Sequence, residues 1–262
     1  MKKWITFDLD GTLMKNPFGE WVFPEVEELI SNQLQRSFKS TEALVCEHEL
    51  RMQQNRTVEA YDWDEMVRKL LQELQIDIEI DVEQLVLKHS IDPKIYLLEK
   101  TIIPTLKRLK EMGFMLAVVT NGFYKYQFPV MKELGLDVWF DEIITPEKVG
   151  CGKPDVNILR ELKERGQIIA HVGDRLDHDV YLANESGAQS VFIYSKLPES
   201  LRTMSPQKRA ESAEFLKICE EKLKAENPHI STVPYPPPFV PTHVVYQMEE
   251  LLECGFTDKI NG

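Results

Sequence analysis

The run Trp4-Ile5-Thr6-Phe7-Asp8-Leu9-Asp10-Gly11-Thr12-Leu13 decides the fold. Its first part, Trp4 to Phe7, is short, β-prone and mostly apolar, so it reads as a buried strand and not as a helix start. Gly11 and Thr12 break it, and Asn16-Pro17-Phe18-Gly19 makes a loop. Asp8 and Asp10 alternate with one residue between them, which on a strand puts both on one face at its C-terminal end. In an open parallel α/β sheet that edge is where ligands bind. Two carboxylates so close are costly to bury unless a cation sits between them or one keeps its proton.

Beyond this run the pattern changes twice. From Pro24 to about Ser90, Glu25, Leu29, Leu34, Phe38, Leu44 and Leu50 recur near helical spacing. Trp63, Met66, Val67, Leu70, Leu71 and Leu74 form a clearer amphipathic stripe, and Leu85 to Leu87 suggest a third helix. Asp77–Ile80 alternates but is too short to decide. After Asp92-Pro93, strand and helix patterns alternate: a helix from Pro104 to Gly113, a strand over Phe114–Val119, and a helix to Gly135. Then come Ile143-Ile144 as a strand, Asn157–Lys163 as a helix, Ile168–Val172 as a strand, a helix from Val180, and Ser190–Tyr194 as a strand. Strands separated by helices of this length imply right-handed crossovers and a parallel sheet. The helical block is thus an insertion after the first strand. Pro206–Leu223 reads as one long charged helix, and Pro234–Pro241, with five prolines in eight positions, as an extended surface connector. His243–Tyr246 resembles a last strand and Met248–Leu252 a short helix.

The ends of the predicted strands hold the polar residues. Gly173-Asp174-Arg175-Leu176-Asp177-His178-Asp179 follows the Ile168–Val172 strand and brings more carboxylates to the edge that carries Asp8. Converging carboxylates suit a hard cation such as Mg²⁺. Thr120-Asn121-Gly122 follows the Phe114–Val119 strand, supplying a hydroxyl, an amide and backbone N–H groups that can turn toward an anion. Gly152-Lys153-Pro154-Asp155 puts a lysine in a tight turn before the next helix. Each string alone is an ordinary loop. Four of them, each closing a strand of one sheet, describe a site that holds both a metal and a phosphate.

Phe7-Asp8-Leu9-Asp10-Gly11-Thr12-Leu13, Val118-Val119-Thr120-Asn121-Gly122, Gly152-Lys153-Pro154-Asp155 and Val172-Gly173-Asp174 with Asp179 resemble, in that order, the four motifs of the haloacid dehalogenase-like hydrolases. The resemblance covers residues 1–14 and 101 to about 194, and the helical insert looks like that family's cap. It implies a Rossmann-like parallel core, residues 1–15 and 100–262 with an extension over 196–242, and an all-helical cap over 16–99. It also implies catalysis through an aspartyl-phosphate. Carried over, Asp8 is the nucleophile and Asp10 the acid and base. Asp8, the Asp10 backbone carbonyl and Asp174 hold Mg²⁺, while Thr120, Asn121 and Lys153 bind the transferring oxygens. Asp179 positions Lys153 or supports the metal. An acid at position 10 suits an oxygen leaving group, which favours phosphate esters over carbon–halogen or carbon–phosphorus bonds. Val156 stands where many relatives have a proline, and the link from Lys196 to Thr242 is longer than usual; bracing the cap, a dimer contact and covering the sheet edge are all open to it.

The formal charge of −12 argues against nucleic acid or an anionic membrane as partner, but not against a small phosphorylated metabolite. Cys46, Cys151, Cys219 and Cys254 have no metal-ligand spacing and read as reduced thiols of a cytoplasmic protein. No segment approaches transmembrane length. His171 reads as a satisfied core histidine and His178 as a surface residue. Cys151 has no histidine near it in sequence to serve as base, and Trp21, Trp63 and Trp139 read as packing residues. Arg51, Arg56 and Tyr61 are cap positions open to leaving-group selection. Two rivals share these residues: a phosphomutase that returns phosphate to a second hydroxyl, and a non-catalytic protein that keeps the fold. The oligomeric state is open.

Overall fold

The computed structural model describes residues 1–232 and 234–256. Along the chain, β1 (Lys2–Phe7) and β2 (Met14–Lys15) lead into five helices: α1 (Phe23–Leu34), α2 (Ser40–Gln53), α3 (Thr57–Ala60), α4 (Trp63–Glu73) and α5 (Val82–His89). Then follow β3 (Tyr96–Leu97), α6 (Ile102–Glu111), β4 (Met115–Val119), α7 (Tyr124–Glu133), β5 (Glu142–Ile144), α8 (Pro146–Val149) and α9 (Arg160–Arg165). The remainder comprises β6 (Gly166–Gly173), α10 (Tyr181–Ser186), β7 (Gln189–Ile193), α11 (Glu199–Arg202), α12 (Pro206–Ala210), α13 (Ala213–Glu226) and β8 (His243–Val245).

Six strands form one parallel sheet in the order β5-β4-β1-β6-β7-β8. Why β4 reads as an unbroken apolar run is visible in its packing. Leu116 and Val118 join the apolar cluster on one face, and Ala117 and Val119 that on the other. Helices cover both faces, so no side of the strand meets water. Gly113 and Gly135, at φ 89° and 66°, end the helices before and after this strand, as their positions suggest.

The helical insert leaves and rejoins the core through a two-stranded antiparallel ribbon, Met14 opposite Leu97 and Lys15 opposite Tyr96. Within it, Asp62 accepts the Glu65 N–H at 3.1 Å and so caps α4. That helix buries Trp63, Met66, Val67 and Leu71, each worth about 1.5–3 kcal/mol when fully buried. The long stripe expected from Glu25 to Leu50 is two helices. Gln35 takes the left-handed conformation at φ 52°, and Ser31 Oγ accepts the Phe38 N–H at 3.0 Å, folding the link back. Leu29 and Leu50 consequently lie on exposed faces. Asp77–Ile80 is irregular and not a strand.

The expected single helix over Pro206–Leu223 also divides, into α12 and α13. The break lets Arg209 turn into the interior, where it meets Glu250 at 2.7 Å and the Val244 carbonyl at 3.0 Å. Leu201, Phe215, Cys219 and Leu223 pack with Phe192 and Val244, so this extension covers one face of β7 and β8. The last residue of α13, Glu226, accepts the Leu176 N–H at 2.8 Å and thereby steadies the acidic loop after β6. The proline-rich stretch is extended except for one 3₁₀ turn, Pro237–Phe239, which needs few backbone donors.

Candidate active site

β1 ends at Phe7, so Asp8 and Asp10 stand in the loop beyond the strand and not on it as expected. The Asp8 N–H still continues the ladder, donating to Val172 O at 2.9 Å. That bond seats Asp8 between the ends of β1 and β6. Lys153 Nζ lies 2.6 Å from Asp8 Oδ1 and 2.7 Å from Asp179 Oδ1, with all three side chains nearly sealed from water. Asn121 clasps the turn that carries this lysine: its Oδ1 accepts the Lys153 N–H at 2.6 Å, and its Nδ2 donates to Lys153 O at 3.0 Å. Thr120, at the end of β4, turns its hydroxyl oxygen to the Gly122 N–H at 3.2 Å.

Of the four acids at this edge, Asp179 is the most heavily bonded. Besides Lys153, it accepts the Arg175 N–H at 3.0 Å and faces His171 Nε2 at 3.1 Å, while His171 Nδ1 faces the Thr6 hydroxyl at 2.8 Å. A Cβ on Gly173 would lie 2.2 Å from Asp179 Cγ, so only glycine lets the carboxylate tuck in there. His171 is therefore a satisfied core residue that supports Asp179.

The acids differ in their electrostatics. Burial raises the Asp8 and Asp174 carboxyls above their ordinary range, and for Asp174 the charges of Asp8 and Asp179 add to the rise. Burial and the neighbouring Asp8 charge push Asp10 up to about 6, against the pull of Gln127 and Asn16. Burial acts on Asp179 in the same sense, but Lys153 and His171 overcome it and hold that acid far below the usual range. Lys153 is pushed up by Asp179 and Asp8 although burial opposes its charge. Carboxylate oxygens of Asp8, Asp174 and Asp179 lie within 4.8 Å of one another, close enough to share one cation. The Asp10 carboxylate points elsewhere, to Gln127 at 2.6 Å.

Asp8, Asp10, Thr120, Asn121 and Lys153 line one cavity of about 180 Å³ between the sheet edge and the helical insert. Phe18, Phe23, Tyr61 and Trp63 supply its aromatic wall from the insert side, and Tyr126, Gln127, Arg175 and His178 complete it. His178 is thus a buried wall residue and not a surface one; burial pushes its imidazole down to about 4, so it is neutral near pH 7. Trp63 faces the cavity as well as packing. Arg51 is a structural residue bound to Glu47 and Glu65, and Arg56 pairs with Glu59 at the surface. Gln127 and Phe23 carried no sequence signal; Asn16, Phe18 and Arg175 lay within quoted loops without distinguishing features.

A parallel sheet that gathers an aspartate pair, a lysine and a second acidic loop at one edge, beneath a helical insert, defines a class of hydrolase folds. Residues 2–187 match the haloacid dehalogenase-like hydrolases, and the chain belongs to that family. A glyceraldehyde 3-phosphate phosphatase of Methanocaldococcus jannaschii is 30% identical over 74% of this chain and 85% of its own length. A protein of the same name from Methanopyrus kandleri is 38% identical, but the match covers 35% of this chain and only 41% of that protein. The crystal structure of a HAD phosphatase from Thermococcus onnurineus superposes with a TM-score of 0.61 at 29% identity, over 76% of this chain and 89% of that one. No helix among the described residues is long and apolar enough to cross a membrane.

Proposed function

We propose that the chain is a magnesium-dependent phosphatase that hydrolyses a small phosphate monoester through an aspartyl-phosphate on Asp8. The observation that carries this reading is the buried Asp8–Lys153–Asp179 chain, at 2.6 and 2.7 Å, beside a cavity of about 180 Å³ with the Asp10 carboxyl in the same wall. Asp8 attacks phosphorus in line, forming the new P–O bond while the ester P–O bond breaks. Asp10 hands its proton to the leaving oxygen, then takes one from the water that hydrolyses the intermediate; a value of about 6 suits both directions. Lys153, the Thr120 hydroxyl and the Asn121 N–H stabilise the transferring oxygens.

Asp8, Asp174 and the Asp10 backbone carbonyl would hold Mg²⁺, with Asp179 behind Lys153. The fit rests on the cluster of acids within 4.8 Å and on the raised Asp8 and Asp174 carboxyls, which a cation would relieve. Bound there, Mg²⁺ neutralises charge that otherwise repels the incoming phosphate. The cavity suits a short leaving group, and relatives are named for glyceraldehyde 3-phosphate and, in Halopiger xanaduensis, for ribulose-1,5-bisphosphate. A small phosphorylated sugar is the substrate class we assign. Four free cysteines accord with work in the cytoplasm.

Phosphate release from a panel of sugar phosphates tests the reading, with Mg²⁺ or chelator, for the wild type and Asp8→Asn. Turnover should need the metal and fall by about 10³-fold or more in the variant. Saturating Mg²⁺ at 100 times Kd should stabilise the wild type by about 2.7 kcal/mol, read as a rise in Tm, and much less in Asp174→Asn. Turnover that survives Asp8→Asn would overturn the proposal.

A further inference from the structure

Asp10 is gripped from a place the four motifs do not include. Gln127, in the first turn of α7, donates its Nε2–H to Asp10 Oδ2 at 2.6 Å. The amide is 4% exposed, and its own Oε1 has no hydrogen-bond partner, which an amide placed only for packing would not tolerate at no gain. Room for it is made by Gly122, where a Cβ would lie 2.1 Å from that same Nε2. Asp10 Oδ1, by contrast, takes no hydrogen bond.

A carboxylic acid delivers its proton to a leaving group only while its plane is held in one orientation. An N–H donated to Oδ2 at 2.6 Å fixes that orientation. We propose that Gln127 is a positioning residue of the acid–base step, fixing the orientation of the Asp10 carboxyl. The inference rests on the phosphatase reading above. In the first step the Asp10 O–H proton passes to the ester oxygen as its bond to phosphorus breaks. In the second, the carboxylate accepts a proton from the attacking water. Gln127 exchanges no proton in either step; it keeps the same donor on the same oxygen throughout.

Loss of the grip matters most where the leaving group is a poor one. A nitrophenolate departs without help, whereas an alkoxide needs the proton in the transition state. The experiment is kcat/KM for Gln127→Leu against the wild type, with Mg²⁺, on 4-nitrophenyl phosphate and on alkyl monoesters including glycerol phosphate. The expected result is a fall of about 30- to 100-fold for the alkyl esters and under about 3-fold for the aryl ester. Gln127→Met, of nearly the same size but lacking the donor, should show the same contrast should the leucine variant fold poorly. Adding Gln127→Leu to Asp10→Asn should cost nothing further, because the two act as one unit. Equal losses on both ester types would mark a structural role and overturn the inference, as would no loss at all. A wild type that releases phosphate from none of the esters would overturn the phosphatase reading itself, and this inference with it.

Discussion

Lys153 shows how tightly the chemistry and the stability of this centre are joined. Its ammonium is 3% exposed and bridges Asp8 and Asp179, two acids that would otherwise repel each other inside the protein. Removing one partner of a buried ionic cluster typically costs about 3–5 kcal/mol, because the charges left behind have neither water nor a counter-ion. Lys153→Ala should therefore lower the unfolding free energy by about that amount in urea titration as well as abolish turnover. A fully stable, inactive variant would show that the ion pairs contribute only to catalysis. The residues of this cluster were legible in the sequence because each lies in a connection that follows a strand, and these connections converge at one edge of a parallel sheet. Gln127 and His178 were not. A glutamine inside a helix and a histidine in a polar loop gain their meaning only from what the cavity brings beside them. Trp63 was read as packing for the same reason: burial and lining a cavity leave identical traces in a one-dimensional pattern.

At the scale of elements, strands were more readable than helices, and the cause is where each meets water. The central strands are covered on both faces and show as solid apolar runs. Surface helices show only a stripe, and a stripe can run on across a turn. Leu34 and Phe38 keep the spacing of a continuous helix although Gln35 reverses the chain between them. Ala210 and Phe215 are likewise buried in one cluster yet on different helices. Packing between α1 and α5 makes a measurable example of how such helices are joined. Glu25 on α1 receives His89 Nε2 at 2.6 Å and Lys88 Nζ at 2.7 Å, both from α5. Lys94 Nζ donates to the other ring nitrogen, so Nε2 carries the hydrogen that Glu25 accepts. Burial tends to raise the Glu25 carboxyl, but these bonds prevail and lower it below its ordinary 4.5. A depressed carboxyl contributes stability that is complete above the unfolded value and disappears as pH falls through the folded one. Glu25→Gln should thus cost about 1 kcal/mol at pH 7, the Lys88 side being open to solvent, and the gap to the wild type should close below pH 4.5. Denaturant midpoints at pH 7 and at more acid pH measure it; a gap that widens in acid would refute the assignment.

For the molecule as a whole, the site exists only while the helical insert lies against the sheet edge, since Asn16, Phe18, Phe23, Tyr61 and Trp63 of the insert close a cavity whose other walls belong to the core. The ribbon of β2 and β3 fixes where the insert is attached, but two short strands cannot set its angle. Asp64 supplies that constraint. It stands in the first turn of α4, and its Oδ2 accepts the Tyr126 hydroxyl at 2.9 Å together with Lys125 Nζ, both from α7 of the core. Its Oδ1 accepts the Val82 N–H at 2.6 Å and so holds α5 in the same knot. Tyr126 is itself a cavity residue, so the latch and the site share a side chain. Asp64→Asn separates the two functions of this residue, because an amide keeps the oxygen for Val82 but offers Tyr126 and Lys125 no acceptor. The insert should then stay folded and swing more freely. KM for the preferred phosphate ester should rise by about 5- to 10-fold, the equivalent of roughly 1 to 1.4 kcal/mol of lost closure, with kcat within about 3-fold. Larger esters should gain relative to small ones. An unchanged KM and an unchanged size preference would mean that the apolar contacts around Phe18, Trp63 and Tyr126, with ring centroids 5.4 to 6.0 Å apart, are sufficient to keep the insert shut without the latch.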